Sequence, residues 1–600
     1  ASMTSEVTPM FGWNGSLLRI NLTTRTVRRE EIPEAWLKAY LGGRGLGVKY
    51  ISDEVAPGTD PLSEGNKLAF MVGPLNATAV PTAGRYSVVS LSPATGTIFD
   101  SNSGGFWGME LKRAGVDGLI IEGRSALPTY LFVNDGEVSF RDAAHLMGLD
   151  CPTTRDTVIE ETDKRARVAS IGPAGENGVL MAAIMNDRDR AAGRGGMGAV
   201  MGSKNLKAIA VRGTQKVAVA DRARLDRIVK RAKTTLDKNS VTGKGLGVFG
   251  TSVLVNVINA HGMYPTRNFQ EGVFNDAEGV SGEKIAELYL TDTDACFNCP
   301  IKCGRVTKTS TDSGDGPEYE SVWAFTAQCG VSDLEAAINA NYLCNRLGLD
   351  TISVGNTIGC AMELADKGHL DMALSWGDAE RMVGLVEEIA YRKGDGALLA
   401  DGSWRLANAV GHPEMAMVVK KLEIPAYDPR GTQGHALSFA TSNRGGCHMR
   451  AYLIQTEIMG LPCFMDRFSI AGKAQLTSVV QDLSAAVDST NLCRFTQIAL
   501  GVDYYVEFLN AVTGLDFSEE ELLEIGRRIY TLERAYNVKQ GLTRQDDMLP
   551  PRFLHEPFAV GGSRGRVVQL DEMLDEYYAL RGWSDQGVPT PETLHALGIA

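Results

Sequence analysis

Three cysteines within eight residues, Cys296-x2-Cys299-x3-Cys303 with Pro300 behind the second, constrain this chain more than any other feature. Ten cysteines in 600 residues are too dilute for a disulfide scaffold, so this cluster points to a reducing compartment and a metal site. Three thiolates on one tight loop suit a [4Fe–4S] cluster whose fourth ligand arrives from elsewhere. The order is the reverse of the C-x3-C-x2-C of radical enzymes that use S-adenosylmethionine. Zinc is the competing occupant, but no histidine or second cysteine pair follows at finger spacing. Candidates for the fourth ligand are Cys151, Cys329, Cys344, Cys360, Cys447, Cys463 and Cys493. Cys344 and Cys360 sit among apolar residues and read as core, whereas Cys493 lies in the polar, turn-like Asp488-Ser489-Thr490-Asn491-Leu492-Cys493-Arg494. Composition leaves the choice open.

The rest of the chain is that of a folded protein with a large core. Hydrophobic residues make up 44% and charged residues 22%, which excludes disorder as the main theme. Six hundred residues allow about four domains, or two or three large ones. No apolar run approaches the ~20 residues of a membrane span, and the start lacks a signal-peptide layout. The opening Ala1-Ser2-Met3 reads as an extension ahead of the natural start, and the expected location is cytoplasmic. A net charge of −13 argues against nucleic acid. Glycine is the outlier, at 66 residues or 11% against a usual ~7%.

The first 213 residues read as short strands. Residues 16–27 carry Leu18, Ile20 and Leu22 at period two, and 67–72, 85–91, 118–122 and 206–211 are further apolar runs. Residues 130–133 and 137–140 flank Asn134-Asp135-Gly136, a hairpin signal. Helices do not alternate with these strands, so an antiparallel or mixed β-rich domain is expected rather than a doubly wound sheet. Beyond Gly213 the pattern turns helical. Residues 220–238 and 378–393 have helical spacing, Ser332-x-x-Glu335 forms a capping box for a helix ending at Gly348, and Ser518-x-x-Glu521 caps another reaching about 537. The Gly- and Pro-rich 410–430 stretch divides the helical part. The class is therefore α+β, with a β-rich base at 1–213, a helical domain at 214–418 holding the cysteine loop, and a helical domain at 419–600 holding His448 and Cys493.

Much of the glycine excess lies in three loops: Gly42-Gly43-Arg44-Gly45-Leu46-Gly47, Ser101-Asn102-Ser103-Gly104-Gly105 and Ala192-Gly193-Arg194-Gly195-Gly196-Met197-Gly198. The last formally matches G-x-G-x-x-G, but Asn186-Asp187-Arg188-Asp189-Arg190 precedes it where a dinucleotide fingerprint needs a hydrophobic strand. What remains is either plain turns or backbone N–H groups beside arginine, which suit the phosphates of a large cofactor.

These residues, together with Gly84-Arg85-Tyr86-Ser87, Gly316-Pro317-Glu318-Tyr319-Glu320 and Ser442-Asn443-Arg444-Gly445-Gly446-Cys447-His448, make the chain resemble the aldehyde:ferredoxin oxidoreductase family over essentially its whole length. The resemblance implies a base of two β-sheets beneath two helical domains. It further implies tungsten, with molybdenum as the alternative, held by two pterins, a Mg2+ ion bridging the pterin phosphates, and one [4Fe–4S] cluster. By resemblance Cys296, Cys299, Cys303 and Cys493 hold the cluster, Arg85 lies between cluster and pterin, and Asn102 and the Ala191 carbonyl hold the magnesium. Gly104, Arg190, Gly193 and Arg450 fall at the cofactor.

Each pterin is expected to meet a D-x-x-G-L-[D/C] motif. The copies here run from Asn345 through Gly348 to Asp350 and from Asp488 through Leu492 to Cys493. Asn345 replaces an acid and keeps only an acceptor, while Asn491 replaces a glycine whose left-handed geometry it tolerates. No histidine completes an E-x-x-H at Glu335, so the family's intersubunit metal is not expected. These departures favour the catalytic subunit of a bacterial heteromeric enzyme. Its partners would be a ferredoxin-like iron–sulfur subunit or carrier and, in some relatives, a flavin subunit.

The implied reaction is oxidation of an aldehyde to a carboxylic acid. By resemblance Glu320 is the general base and His448 polarises the aldehyde oxygen. On the residues alone Glu320 reads equally as a surface acid, with Glu318 an equally near rival, and His448 as an ordinary loop histidine. His369 and His555 read as structural or surface. The alternatives are a low-potential reductase of aromatic thioesters and a non-catalytic iron–sulfur electron-transfer subunit.

Overall fold

The computed structural model describes residues 10–600, so the Ala1-Ser2-Met3 reading lies outside the described residues. Six strands form the first sheet: β1 (Ser16–Asn21), β2 (Thr26–Glu31), β3 (Leu68–Met71), β4 (Tyr86–Leu91), β5 (Ile98–Ser103) and β6 (Gly118–Glu122), in the order β2-β1-β6-β3-β4-β5. Six more form the second: β7 (Thr129–Asn134), β8 (Glu137–Asp142), β9 (Arg167–Ser170), β10 (Ile184–Asn186), β11 (Arg190–Ala192) and β12 (Leu206–Arg212), in the order β11-β10-β9-β12-β7-β8. Each sheet holds one parallel pair, β1 with β6 and β7 with β12, and is otherwise antiparallel. The patterning predicts this mixed character. The fold is α+β, with mainly helical structure following the two sheets.

Leu18, Ile20, Phe70, Val88 and Ile121 of the first sheet share one core with Leu131, Val133, Ile209 and Val211 of the second. Leu17, Ala69 and Met71, at alternating positions, share a different core with Ile529 and Tyr505 of the helical part. β3 is thus covered on both faces and buried along its whole length, so 67–72 is a continuous apolar run instead of an alternating one. β2, at the sheet edge, is charged and mostly exposed.

Two local expectations need correction. The 16–27 run is two strands, because Asn21 Oδ1 accepts from the backbone N–H groups of Thr23 and Thr24 and Arg25 is left-handed at φ 54°. That Asx turn folds β1 back on β2. The helix at 334–347 is capped by Asp333, whose side chain accepts from Ala336 N, and no Ser332–Glu335 box forms. Ser332 binds Asp276 instead, and Glu335 accepts from Ser310 N. Gly348 does end this helix, at φ 74°. The Ser518–Glu521 box forms and opens Glu519–Lys539.

The first glycine loop is a packing device. Gly43–Glu54 is a helix that lies against the C-terminal end of Lys473–Thr490. A Cβ on Gly43, itself at φ 42°, would stand 2.1 Å from Asn491 Oδ1 and 2.6 Å from the Asp488 carbonyl. Arg44 is fully buried and bound to Glu533 and Asp488, so neither loop nor arginine is free to take a phosphate. Among the described residues no single helix is long and apolar enough to cross a membrane.

Gly58 provides a matched control, with a positive φ of 85° but nothing within 4 Å of a Cβ. Gly43→Ala is expected to cost roughly 3 kcal/mol or more from strain and overpacking together, against about 1 for Gly58→Ala. Thermal unfolding checks this; equal midpoints for the two variants would rule out the close-packed junction.

Candidate metal centre and active site

The cysteine loop joins two antiparallel strands, β13 (Leu290–Asp294) and β14 (Gly304–Lys308). Asn298 and Lys302 are left-handed, at φ 48° and 53°, which curls the chain between the cysteines. The loop docks on the β-rich part through backbone contacts. Phe297 N donates to the Gly105 carbonyl at 3.1 Å, Thr82 N donates to the Asn298 carbonyl at 2.9 Å, and Asn298 Nδ2 reaches the Ala79 and Val80 carbonyls. Here glycine is required for approach: a Cβ on Gly104 would stand 2.8 Å from Cys296 Sγ, and one on Gly84 would stand 2.7 Å from Phe297 Cβ.

Cys493 arrives from the turn after Lys473–Thr490, and its N–H donates to Thr82 Oγ1 at 3.0 Å. Thr82 therefore ties the fourth cysteine to the loop carrying the other three. Burial, followed by the neighbouring Cys493, pushes Cys299 up to about 12; burial, Glu318 and Cys493 push Cys303 well above the ordinary thiol value. Burial also raises Cys493, opposed by Arg85. Buried thiols that repel one another as thiolates call for a cationic partner. Among the described residues no three His, Cys, Asp or Glu side chains converge on a single ion.

Arg85 stands beside this centre. Its Nη1 is 3.0 Å from where a Gly104 Cβ would be, and its Nε donates to Asn102 Oδ1. Ser87 Oγ accepts from both Asn102 and Asn491. β5, carrying Asn102, packs against β11, carrying Arg190 and Ala191. Arg190 binds Asp294 at the base of the cysteine hairpin. A Cβ on Gly193 would meet only Asp350 Oδ1, at an ordinary contact distance of 3.9 Å.

The two motif copies end helices in the same way. Gly348 and Asn491 are both left-handed C-caps, at φ 74° and 58°, and Asn491 supplies without glycine the conformation the motif needs. Asn345 is half-buried on its helix, and Asp350 caps the next helix while binding Arg194. Asp488 binds Arg44 and lies 3.9 Å from Arg450 and 3.8 Å from Arg494; Leu492 is core. Arg450 grips both oxygens of Asp100. Arg450 Nε, Arg494 Nη1 and Asn491 Oδ1 are buried with no partner. Buried polar atoms are ordinarily satisfied, so orphans grouped around Asp488 fit a polar group bound between these arginines.

Glu320 and His448 meet, with Nε2 to Oε1 at 3.8 Å. Glu320 sits on the helix Tyr319–Ala324; its Oε2 accepts from Ala426 N at 2.9 Å, while Oε1 is buried and unpartnered. Its rival Glu318 is engaged by Thr251 Oγ1. Burial pushes Glu320 up to about 8, and burial together with Arg194 holds His448 well below its usual value. Burial thus disfavours the charged form of both groups. His369 and His555 are exposed.

Sequence reasoning missed the wall around this pair. Tyr427 and Tyr452 flank His448 with ring centres at 5.9 and 6.3 Å, their hydroxyls share a 2.9 Å hydrogen bond, and Tyr319 and His435 pack on Tyr427. Tyr427 lies in the 410–430 stretch, whose prolines suggest a connector but whose residues 422–430 are buried. The signal was available in Ile424, Ala426 and Tyr427, apolar residues threaded between the prolines.

The chain matches the family described as aldehyde ferredoxin oxidoreductase, N-terminal domain, over residues 17–213, and domains 2 and 3 of the same family over 227–599. It is 49% identical to proteins named tungsten-containing aldehyde ferredoxin oxidoreductase from Pyrococcus furiosus and Thermococcus kodakarensis, covering 98% of this chain and all of each relative. It is 31% identical to the aliphatic sulfonate oxidoreductase, WOR-like subunit, of Pyrococcus furiosus, over 98% of this chain and 97% of that one. Among solved structures it resembles the active site complex BamBC of benzoyl coenzyme A reductase in complex with 1,5-dienoyl-CoA. There the TM-score is 0.85 and the identity 26%, over 98% of each chain.

Cys493→Ser is expected to lower iron per chain and bleach the visible absorption of anaerobically purified protein. Cys463→Ser, at an exposed position, leaves both unchanged. Equal iron in the two variants would remove Cys493 from the centre.

Proposed function

The chain belongs to the aldehyde ferredoxin oxidoreductase family, and from that premise we propose that it oxidises aldehydes to carboxylic acids at a tungsten centre, with a ferredoxin-type carrier as acceptor. The reaction adds one water oxygen to the carbonyl carbon and releases two protons and two electrons. When bound, a tungsten ion with two pterins supplies the two-electron sink. The residues that would hold the cofactors are Arg85, Arg190, Gly193, Asp350, Asp488 and Arg450 for the pterins, with Asn102 and the Ala191 carbonyl for Mg2+. Cys296, Cys299, Cys303 and Cys493 would hold the [4Fe–4S] cluster that separates the electrons into single steps.

One observation carries this reading: the buried, orphaned Oε1 of the half-buried Glu320, facing His448 beside an aromatic wall. Burial raises the proton affinity of Glu320, so its carboxylate is a stronger base than a solvated one, and Oε1 is free to take a proton from the attacking water. The Ala426 N–H fixes Oε2, which leaves Oε1 as the working oxygen. His448, neutral, offers an N–H to the aldehyde oxygen as negative charge develops there. The tyrosine wall keeps bulk water from competing. Reduction of aromatic thioesters stands behind this reading, since the solved reductase is 26% identical and the tungsten aldehyde enzymes 49%.

The acceptor is either a dissociable ferredoxin or a ferredoxin-like subunit in a heteromeric assembly, with a flavin subunit in the larger version. Recovery of the chain alone, in a pull-down from its native host, would remove the assembly.

Glu320→Gln is expected to keep tungsten and iron but lose turnover by roughly 10²–10⁴-fold, and His448→Ala to lose a similar factor. Metal analysis beside steady-state kinetics with benzaldehyde checks both, and normal turnover in both would overturn the assignment. Because the raised Glu320 must be deprotonated to act, turnover should fall as pH drops below about 8.

A further inference from the structure

Immediately before His448, the Cys447 sulfur receives three N–H groups. Arg444 donates from Nε at 3.1 Å and from Nη2 at 2.9 Å, and Met449 donates its backbone N–H at 3.2 Å. Two other fully buried cysteines behave differently: Cys329 and Cys360 each donate an S–H to a backbone carbonyl, at 3.4 Å to Ala324 and Met415 respectively. Cys447 has donors only. A thiol proton there would have no acceptor, while three donors compete for the sulfur lone pairs.

Arg444 needs this sulfur as much as the sulfur needs Arg444. The guanidinium is buried, its remaining nitrogen goes to the Asp100 backbone carbonyl, and it lies over the Phe99 ring at 5.0 Å. Among the described residues no carboxylate oxygen meets it within ion-pair distance, whereas Arg44, Arg194 and Arg450 each have at least one. A buried cation without a counter-charge is strongly destabilising.

We propose that Cys447 is held as a thiolate, the counter-ion of Arg444, and that it acts as a positioning residue that sets the loop carrying His448 opposite Glu320. This rests on the reading of Glu320 as the base. The charged groups facing the sulfur are Arg444, Arg450, Arg194 and Arg494 on the cationic side and Glu320 on the anionic side, while Asp100 faces Arg444 and Arg450. Burial alone would raise this thiol, yet Arg444, Arg450 and Arg194 together bring it down to about 7. A negative sulfur disfavours the Glu320 carboxylate and so lifts its pKa; removing that charge lets the carboxylate form at lower pH.

The test compares Cys447→Ser and Cys447→Ala, both neutral, with Cys447→Asp, which keeps the charge, in tungsten- and iron-loaded enzyme. The pH profile of kcat/KM with benzaldehyde is the readout. In the neutral variants the acid limb is expected to move down by about half a pH unit or more, with kcat reduced several-fold; in Cys447→Asp the limb returns toward the parent position. A loss confined to packing would lower activity without moving the limb. An unmoved limb in either loaded neutral variant overturns the proposal. If neither neutral variant loads metal, a loaded Cys447→Asp supports the counter-charge and an unloaded one overturns it. Glu320→Gln keeps the two readings apart: if it retains turnover the base assignment falls, and if it abolishes turnover while the limb stays fixed only the role of Cys447 falls.

Discussion

Asp100 of β5 is an anion sealed inside the molecule, and the geometry of both candidate centres is referred to it. Burial opposes its ionisation, but Arg450, Arg44 and Arg444 overcome this and hold the carboxyl well below its usual range. Each ion removed from water costs several kcal/mol unless its partners are well placed, so the network is rigid or it is not formed. Arg44 carries the link onward to Asp488 and Glu533, and Arg450 brings in the loop that follows His448. Asn102, two residues along β5 and on the same face, is fixed beside Arg85 by the same strand. The Asp488 end of the network leads through Asn491 to Cys493. One carboxylate thus joins strand, helix end and the His448 loop across 350 residues of sequence, Asp100 to Arg450.

How much of this was legible depends on whether the signal was local. The hairpin at Asn134-Asp135-Gly136, the Ser518–Glu521 box and the left-handed stop at Gly348 are set by neighbouring residues and read correctly. The break after Asn21 was equally local, yet the period-two run of Leu18, Ile20 and Leu22 masked the Asx turn. Ser332 and Asp333 are both able caps, and Asp276 decided between them by taking the serine hydroxyl, a contact 56 residues away. For the site, Cys296, Cys299 and Cys303 were plain because their spacing is the signal. The aromatic wall and the Arg444–Cys447 pair were not, since each member is ordinary until tertiary packing supplies the rest. The first glycine loop taught a related lesson: glycines that admit a phosphate and glycines that admit a neighbouring helix look the same in sequence.

The titration of the Glu320–His448 pair is set by its surroundings. A glutamate and a histidine this close in water would exchange a proton and form an ion pair. Enclosed by Tyr319, Tyr427, Tyr452 and His435, with Arg194 weighing further against a protonated imidazole, Glu320 is pushed up and His448 down, so the charged form of each is disfavoured. In the proposed reaction the Glu320 carboxyl must first lose its proton, and the burial that opposes this loss also makes the resulting carboxylate a stronger base.

Thr82 has two bonds of little strength, one to the Asn298 carbonyl and one from the Cys493 N–H, yet they have a consequence for biogenesis. They join a turn of the β-rich part, a hairpin loop of the middle of the chain and a helix end nearly 200 residues later. The four cysteines proposed for the cluster therefore stand together only once these three regions have closed on one another, so on that proposal the order in which the chain folds would set when iron can enter.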